Sequence, residues 1–469
     1  MKLKSNWKKI IYIVLVILMI GGSFYYSYKT ASSPKLHDYI GDEVWYVPAS
    51  RNILHRLGID VHYINRANNS EGVNVIFSSD ADKNENQLGV WQIASTYNYT
   101  RYIDYNNFPA VYFEIPRKNL KAFIKALKLK YPEIEVVTGF RYPDKDNIQN
   151  YLNTEHPFLG KDFIMLGMMR RDDPFYWRLP GVIALAIINL LVALTAYKLT
   201  KSYLASLIAL LFSTVDPTLM ATSVAAMLDI YVALFVAFFT YLMVSERSYS
   251  SGLAIGLAGA TKLSGGFGYP VLFIKLLKER RGFKSFLIAG LILPGLGFLV
   301  PELPAIKALG FKFWLREFLG SFKWHLSYKG PNPNTSPFWQ WFVDLRPFPF
   351  HFNPNVFAET DPFLLSAMIV FIFAIPYIAI KRRNAWVPLA IFWSTIGMFA
   401  LQYILGGKTQ FSFYATALVP EAAVVMGVVL YDIIKWDYFK ESLRIYWGFF
   451  TNSYRWLKGK TRVIYSKRR

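Results

Sequence analysis

At 469 residues, 54% hydrophobic and 17% aromatic with only 18% charged, the chain is too apolar for an ordinary soluble protein of its length. A net charge of +21 would suit a nucleic-acid binder, but the basic residues collect at the ends of apolar runs and in the tail, as membrane-topology signals do. Cysteine is absent, which excludes disulfides and thiolate metal sites.

In chain order, the first apolar run covers residues 10–28 and follows Lys2, Lys4, Lys8 and Lys9. The basic flank places the N-terminus inside, and the length and the lack of a clear small-residue cleavage site mark a retained helix rather than a signal peptide. A mostly polar stretch, 30–173, then lies outside. Further spans are expected at 175–197, 202–219, 223–244, 283–300, 362–380, 385–405 and 411–431. This threading puts Lys198, Lys201, Arg247, Lys278, Arg280, Arg281, Lys284, Lys381, Arg382 and Arg383 on the inside. The tail from Lys435, with ten basic and two acidic residues among aromatics, is inside too and reads as an interfacial segment on anionic lipid, not a nucleic-acid site. The sequons at Asn68, Asn98 and Asn334 all fall outside, where they would be modified.

The segment 252–274 is too short for two crossings between the inside positions Ser250 and Lys278. It is expected to form a short broken hairpin that carries Lys262 into the bundle, since irregular backbone at membrane depth is tolerated only beside protein or water. In the first outer loop, strands are expected at 73–78, 110–115 and 133–138 and an amphipathic helix at 117–129. The organisation is therefore a first span with its following segment (1–57), an α/β insertion (58–150), a multi-span membrane domain (151–431, with an outer loop at 302–361) and a basic tail (432–469). The fold class is an all-α polytopic membrane protein of about 9–11 transmembrane helices with a small extracytoplasmic α/β insertion.

Charged residues inside or at the edge of apolar runs are costly, so each is a functional candidate. Asp42 and Glu43 form an acidic pair just after the first span. His156 and Lys161 lie in H-P-F-L-G-K, Arg178 in W-R-L-P, Asp229 in an otherwise apolar helix, and Lys262 in the hairpin. The loop after residue 324 holds His325, Lys329, Asp344 and Arg346 with Trp339 and Trp341. An acidic pair facing several cations suits an anionic ligand beside a group that must lose a proton. Lysine and arginine suit a phosphate, and a phosphate held at a membrane points to a lipid carrier. A carboxylate then serves as general base toward a hydroxyl. A metal site would need more carboxylates, and the many cations argue against one.

The order of D-E after span one, H-P-F-L-G-K, W-R-L-P, M-L-D, G-A-T-K-L-S-G and S-P-F-W-Q-W…D-L-R-P resembles the protein O-mannosyltransferases. The resemblance covers most of the chain apart from the insertion and the tail. It implies a GT-C fold and transfer of mannose from a polyprenyl (dolichyl) phosphate to Ser or Thr of a protein, by inversion, with no metal or other cofactor. Asp42 matches the family's base, and Glu43 its support. His156, Lys161, Arg178, Asp229, Lys262 and Arg346 are implied at the lipid-phosphate donor, and Trp339 and Trp341 at the acceptor or in an aromatic loop. Phe158 replaces a family proline, Val224 stands where the family has arginine, and the family's MIR domain has no counterpart. Asp42, Lys161, Arg178 and Lys262 should converge on one outward-facing cavity. The implied setting is an archaeal or bacterial plasma membrane with both termini cytoplasmic. The alternatives are a relative that modifies a lipid or glycan with another sugar, a transporter or flippase with Asp229 and Lys262 as coupling residues, and a silent assembly subunit. Oligomeric state is left open.

Overall fold

The structure is a computed structural model that describes residues 2–146, 150–327, 330, 332–372, 382 and 384–466. Lys329, Lys381, Arg383 and the second half of the expected 362–380 span lie outside the described residues. Most of the chain is helical, with several apolar helices and one small sheet domain, as the composition demands.

Helix α1 (Lys2–Ala31) supplies the first apolar span, and α2 (Glu43–Arg56) starts at the acidic pair. The insertion follows as β1 (Ile64–Asn65), β2 (Ser70–Ile76), α3 (Asp80–Thr96), β3 (Arg101–Asp104), β4 (Ala110–Pro116), α4 (Leu120–Lys130) and β5 (Glu135–Thr138). Every strand pairing is antiparallel, and from β2 onward the spatial order is β5-β2-β4-β3, with β1 extending the edge beside β5. That is the β-α-β-β-α-β ferredoxin-like arrangement. Alternate residues Val73, Val75, Val111, Phe113 and Ile115 bury one sheet face against Val90, Ala94, Phe123 and Leu127 of the two helices.

The other sheet face leans toward α2. Tyr142, just past β5, donates its hydroxyl to Asn52 Oδ1 at 2.7 Å. Behind it, fully buried Arg51 of α2 grips Asp172 with Nε at 2.6 Å and Nη2 at 3.1 Å. Asp172 also accepts from the Phe140 backbone N–H and the Trp177 indole N–H, each at 2.7 Å. One carboxylate thus joins the insertion, the helix carrying the acidic pair, and the helix that follows.

Helix α5 (Leu159–Arg170) leads to the long α6 (Pro174–Thr200). Asp173 caps α6 by accepting from Tyr176 N–H at 3.3 Å, and Pro174 sits at its first position, where a missing N–H is harmless. Helices α7 (Tyr203–Val215) and α8 (Pro217–Ser223) form one apolar unit bent by 56°. The bend lies at Asp216-Pro217, where proline disfavours helical backbone in the residue before it. Helix α9 (Asp229–Val244) runs to the broken hairpin, which is built as α10 (Ser248–Thr261), a 3₁₀ turn Leu263–Gly268, and α11 (Tyr269–Lys278). Lys262 is the extended residue between the first arm and the turn, at φ −160° and ψ 141°.

At about 1.5 Å per residue neither hairpin arm spans a ~30 Å hydrocarbon layer. Glycines hold α10 tightly against the neighbouring Phe283–Leu299 helix. A methyl group added at Gly252 or Gly256 would lie 2.2 Å from the Ala289 or Pro294 carbonyl oxygen. This is the close backbone approach that small residues allow in membranes.

Among the described residues, four helices are long and apolar enough to cross a membrane: Trp7–Ala31, Pro174–Thr200, Trp386–Ile404 and Ser412–Ile434. Six qualify if each bent pair is one span, the second pair being Phe283–Leu299 with Leu303–Leu309. Asp229–Val244 and Pro362–Phe371 are apolar but shorter. Several expected spans are thus broken by proline or arrive as short segments that borrow neighbours for cover. Gly256→Val should drive a branched side chain into the Pro294 carbonyl, costing about 1–3 kcal/mol and lowering the melting temperature in detergent. An unchanged transition would disprove the tight contact.

Candidate active site

Asp42 is the N-cap residue of α2, yet its side chain makes no capping hydrogen bond. The carboxylate is therefore left for other work. It is half-buried. Burial pushes its pKa up to about 6; Lys262 pulls the other way, Asp229 adds to the rise, and the Tyr46 hydroxyl one turn on stabilises the charged form.

Glu43 points the opposite way and is fully buried. It receives a bidentate pair from Arg178, Nε to Oε1 and Nη2 to Oε2 both at 2.7 Å. Its oxygens also accept the Ile40 N–H at 2.9 Å and the Ala226 N–H at 2.7 Å. Arg178 spends its remaining donors on the Leu36 and Asp38 carbonyls, each at 2.6 Å. The pair thus fixes the backbone on both sides of Asp42, and on the far side it fixes the turn that carries Val224. Gly41, at φ +52°, completes the approach: a side chain there would strike the Phe350 ring at 2.6 Å.

Lys262 reaches the same region from the hairpin. Its Nζ lies 3.0 and 3.2 Å from the two Asp229 oxygens, 4.0 Å from the Tyr414 ring centre and 5.4 Å from that of Phe413. A carboxylate and two aromatic faces hold one ammonium. Gly265 permits the turn, since a methyl group there would sit 2.0 Å from the Ala258 carbonyl oxygen. A cavity of about 360 Å³ opens beside this ammonium. Lys262, Ser264, His325, Tyr414 and Gln402 give it polar groups, while Phe267, Phe322, Met398, Phe399 and four leucines make most of the rest of its wall apolar.

Asp42 and Lys262 therefore lie within electrostatic reach of each other, while the lysine's ion pair is with Asp229. Lys161 and Arg178 take other positions. Lys161 is fully buried, and its Nζ donates to the Asn153 carbonyl at 2.5 Å and the His156 carbonyl at 2.8 Å. It ties down the 153–156 loop, and burial lowers its pKa. Arg178 sits behind Glu43. The expectation that these two cations present themselves to a ligand is thus corrected to a holding role. Arg346 is exposed at φ +65°, with no hydrogen bond or ion pair among the described residues. Trp341 is buried, with its indole N–H on the Ser336 carbonyl at 2.8 Å and its ring against Phe399, so it supports the cavity wall from behind. Trp339 is half-exposed and packs on Tyr403. His156 is buried between Tyr46, Trp324 and His325.

Tyr46, Tyr414 and the cavity position of His325 add to the site beyond the sequence reading. Tyr46 follows Asp42 by one helical turn, a spacing that could have flagged it. Among the described residues no three His, Asp or Glu side chains are grouped as a metal site would need.

No family model matches the chain, and no curated protein matches it. Solved structures that are similar in part include the following two. The structure of ArnT from Cupriavidus metallidurans bound to undecaprenyl phosphate is 14% identical, with a TM-score of 0.48, over 89% of this chain and 60% of that one. The oligosaccharyltransferase of Archaeoglobus fulgidus in its apo form is 11% identical, with a TM-score of 0.44, over 93% of this chain and 52% of that one. The chain thus spans about 60% or less of the length of either protein.

Arg178→Met would leave Glu43 buried without its counter-charge, which costs on the order of 3–5 kcal/mol. The double change of Glu43→Leu with Arg178→Met should recover part of that stability while the site stays disordered. Unfolding curves of the three proteins in detergent test this; a single variant as stable as the parent would refute it.

Proposed function

We propose that the chain is a GT-C glycosyltransferase that moves a sugar, mannose on the family resemblance, from a polyprenyl phosphate to an acceptor hydroxyl on the outer face of the membrane. The acceptor is Ser or Thr of a protein. The observation that carries the reading is a half-buried, non-capping carboxylate, Asp42, that feels the charge of a lysine lining a mostly apolar cavity. An isoprenoid tail suits the apolar wall and a phosphate suits the Lys262 ammonium.

In this scheme Asp42 takes the proton of the acceptor hydroxyl as its oxygen attacks the sugar C1. The new C1–O bond forms on the face opposite the departing phosphate, so the configuration inverts. The C1–O bond to the carrier breaks, and the polyprenyl phosphate keeps the electron pair, its charge stabilised by Lys262. Asp229 and the Tyr414 ring hold the ammonium in place, and Glu43 with Arg178 hold Asp42. The protonated Asp42 then releases its proton to solvent.

Asp42→Asn should abolish transfer yet leave binding of the lipid donor measurable; full turnover in that variant would end the assignment. Only the ionised carboxylate accepts the proton. The kcat/KM profile should therefore rise with pH through about 6 and fall about ten-fold per unit below it. Because the Lys262 charge holds the Asp42 pKa down, Lys262→Met should move that acid limb to higher pH as well as slow turnover. A limb that stays in place would show that the two groups do not interact.

A further inference from the structure

His156 is about 6% exposed, and its Nδ1 is buried with no hydrogen-bond partner among the described residues. Buried polar atoms are rarely left so, because each forfeits the hydrogen bonds it had in water. The ring is wedged in one particular place. Its centre lies 6.0 Å from that of Tyr46, the neighbour of Asp42, and 5.0 Å from that of His325, on the cavity wall. Trp324 closes a third side at 6.0 Å. The backbone is equally fixed, since the His156 carbonyl accepts from Lys161 at 2.8 Å. The orphan nitrogen thus belongs to a locked ring packed between Tyr46, which stabilises the charged form of Asp42, and His325, which lines the Lys262 cavity.

The charge state restricts what such a ring can bind. Burial, with the basic side chains of His325, Lys262 and Lys161 nearby, holds the imidazole's pKa well below the usual histidine range, so the ring is neutral at physiological pH. A neutral imidazole carries one N–H donor and one lone pair, and holds no charge to offer a phosphate. It matches a neutral hydroxyl, which donates and accepts in turn.

We infer that His156 is a sugar-recognition residue, its orphan ring nitrogen satisfied by one hydroxyl of the transferred sugar rather than by the phosphate of the carrier. The inference rests on the transferase reading and deepens it by giving the 153–156 loop a role in selecting the sugar. Lys161 then serves selection indirectly, by holding the loop that presents the ring.

The test uses the purified full chain, polyprenyl-phosphate mannose, and a set of donors each lacking one sugar hydroxyl. His156→Phe keeps the shape and removes both nitrogens; His156→Asn restores a neutral donor and acceptor. His156→Phe should lower kcat/KM for the intact donor by about ten-fold or more, and His156→Asn should recover part of it. On one of the deoxy donors parent and Phe variant should coincide, and inhibition by sugar-free polyprenyl phosphate should not change. An equal loss on every donor, no loss at all, or weakened inhibition by the bare carrier phosphate would overturn the inference. Should the Phe variant fail to fold, the same comparison with His156→Asn decides, through loss confined to donors that keep the recognised hydroxyl. A parent protein that transfers none of these sugars would refute the transferase reading, and this inference with it, before any variant is compared.

Discussion

The buried pair of Glu43 and Arg178 is the contact on which the rest of the site depends. Two charges withdrawn from water are tolerable only when each is fully met by partners, and here every oxygen and all three guanidinium nitrogens are used. Those partners are backbone groups of residues 36, 38, 40 and 226, so the cost of desolvation converts into a fixed chain path around Asp42. The adjacent carboxylates have divided their work. Glu43 is satisfied and structural, while Asp42 is left uncapped and half-buried, with its pKa raised toward neutrality.

Lys262 shows the same economy by another route. A lone ammonium inside an apolar bundle is expensive. It is held by Asp229 and by the faces of Tyr414 and Phe413, supplied by two separate stretches of chain. Membrane segments that are bent, short or hairpin-shaped make such convergence possible, because each ends at the depth where its polar residue is needed.

Much of this was legible in the sequence. The acidic pair, Asp229 and Lys262 each interrupt apolar context, and the hairpin followed from counting residues between two inner positions. What the sequence could not reveal is who pairs with whom. Glu43 and Arg178 are 135 positions apart, and Arg51 and Asp172 are 121 apart. No periodicity encodes those distances. Arg178 and Lys161 therefore looked like cations awaiting a ligand when their charges are spent inside the protein. In the insertion, α3 escaped notice because its core face is narrow, with only Val90 and Ala94 as buried apolar side chains. Edge strands β1 and β3 escaped because neither has a buried face.

The hairpin also has a bearing on how the protein is made. Neither arm can shield its backbone across a bilayer alone, and its turn exposes polar groups until α9, the Phe283–Leu299 helix and the Trp386–Ile404 helix cover it, the last by Ser394 donating to the Phe267 carbonyl. Helices later in the chain must be in place before the earlier hairpin is stable. The Lys262 ammonium is thus set late during biogenesis, and a nascent chain halted before residue 412 lacks the Phe413 and Tyr414 rings that flank it.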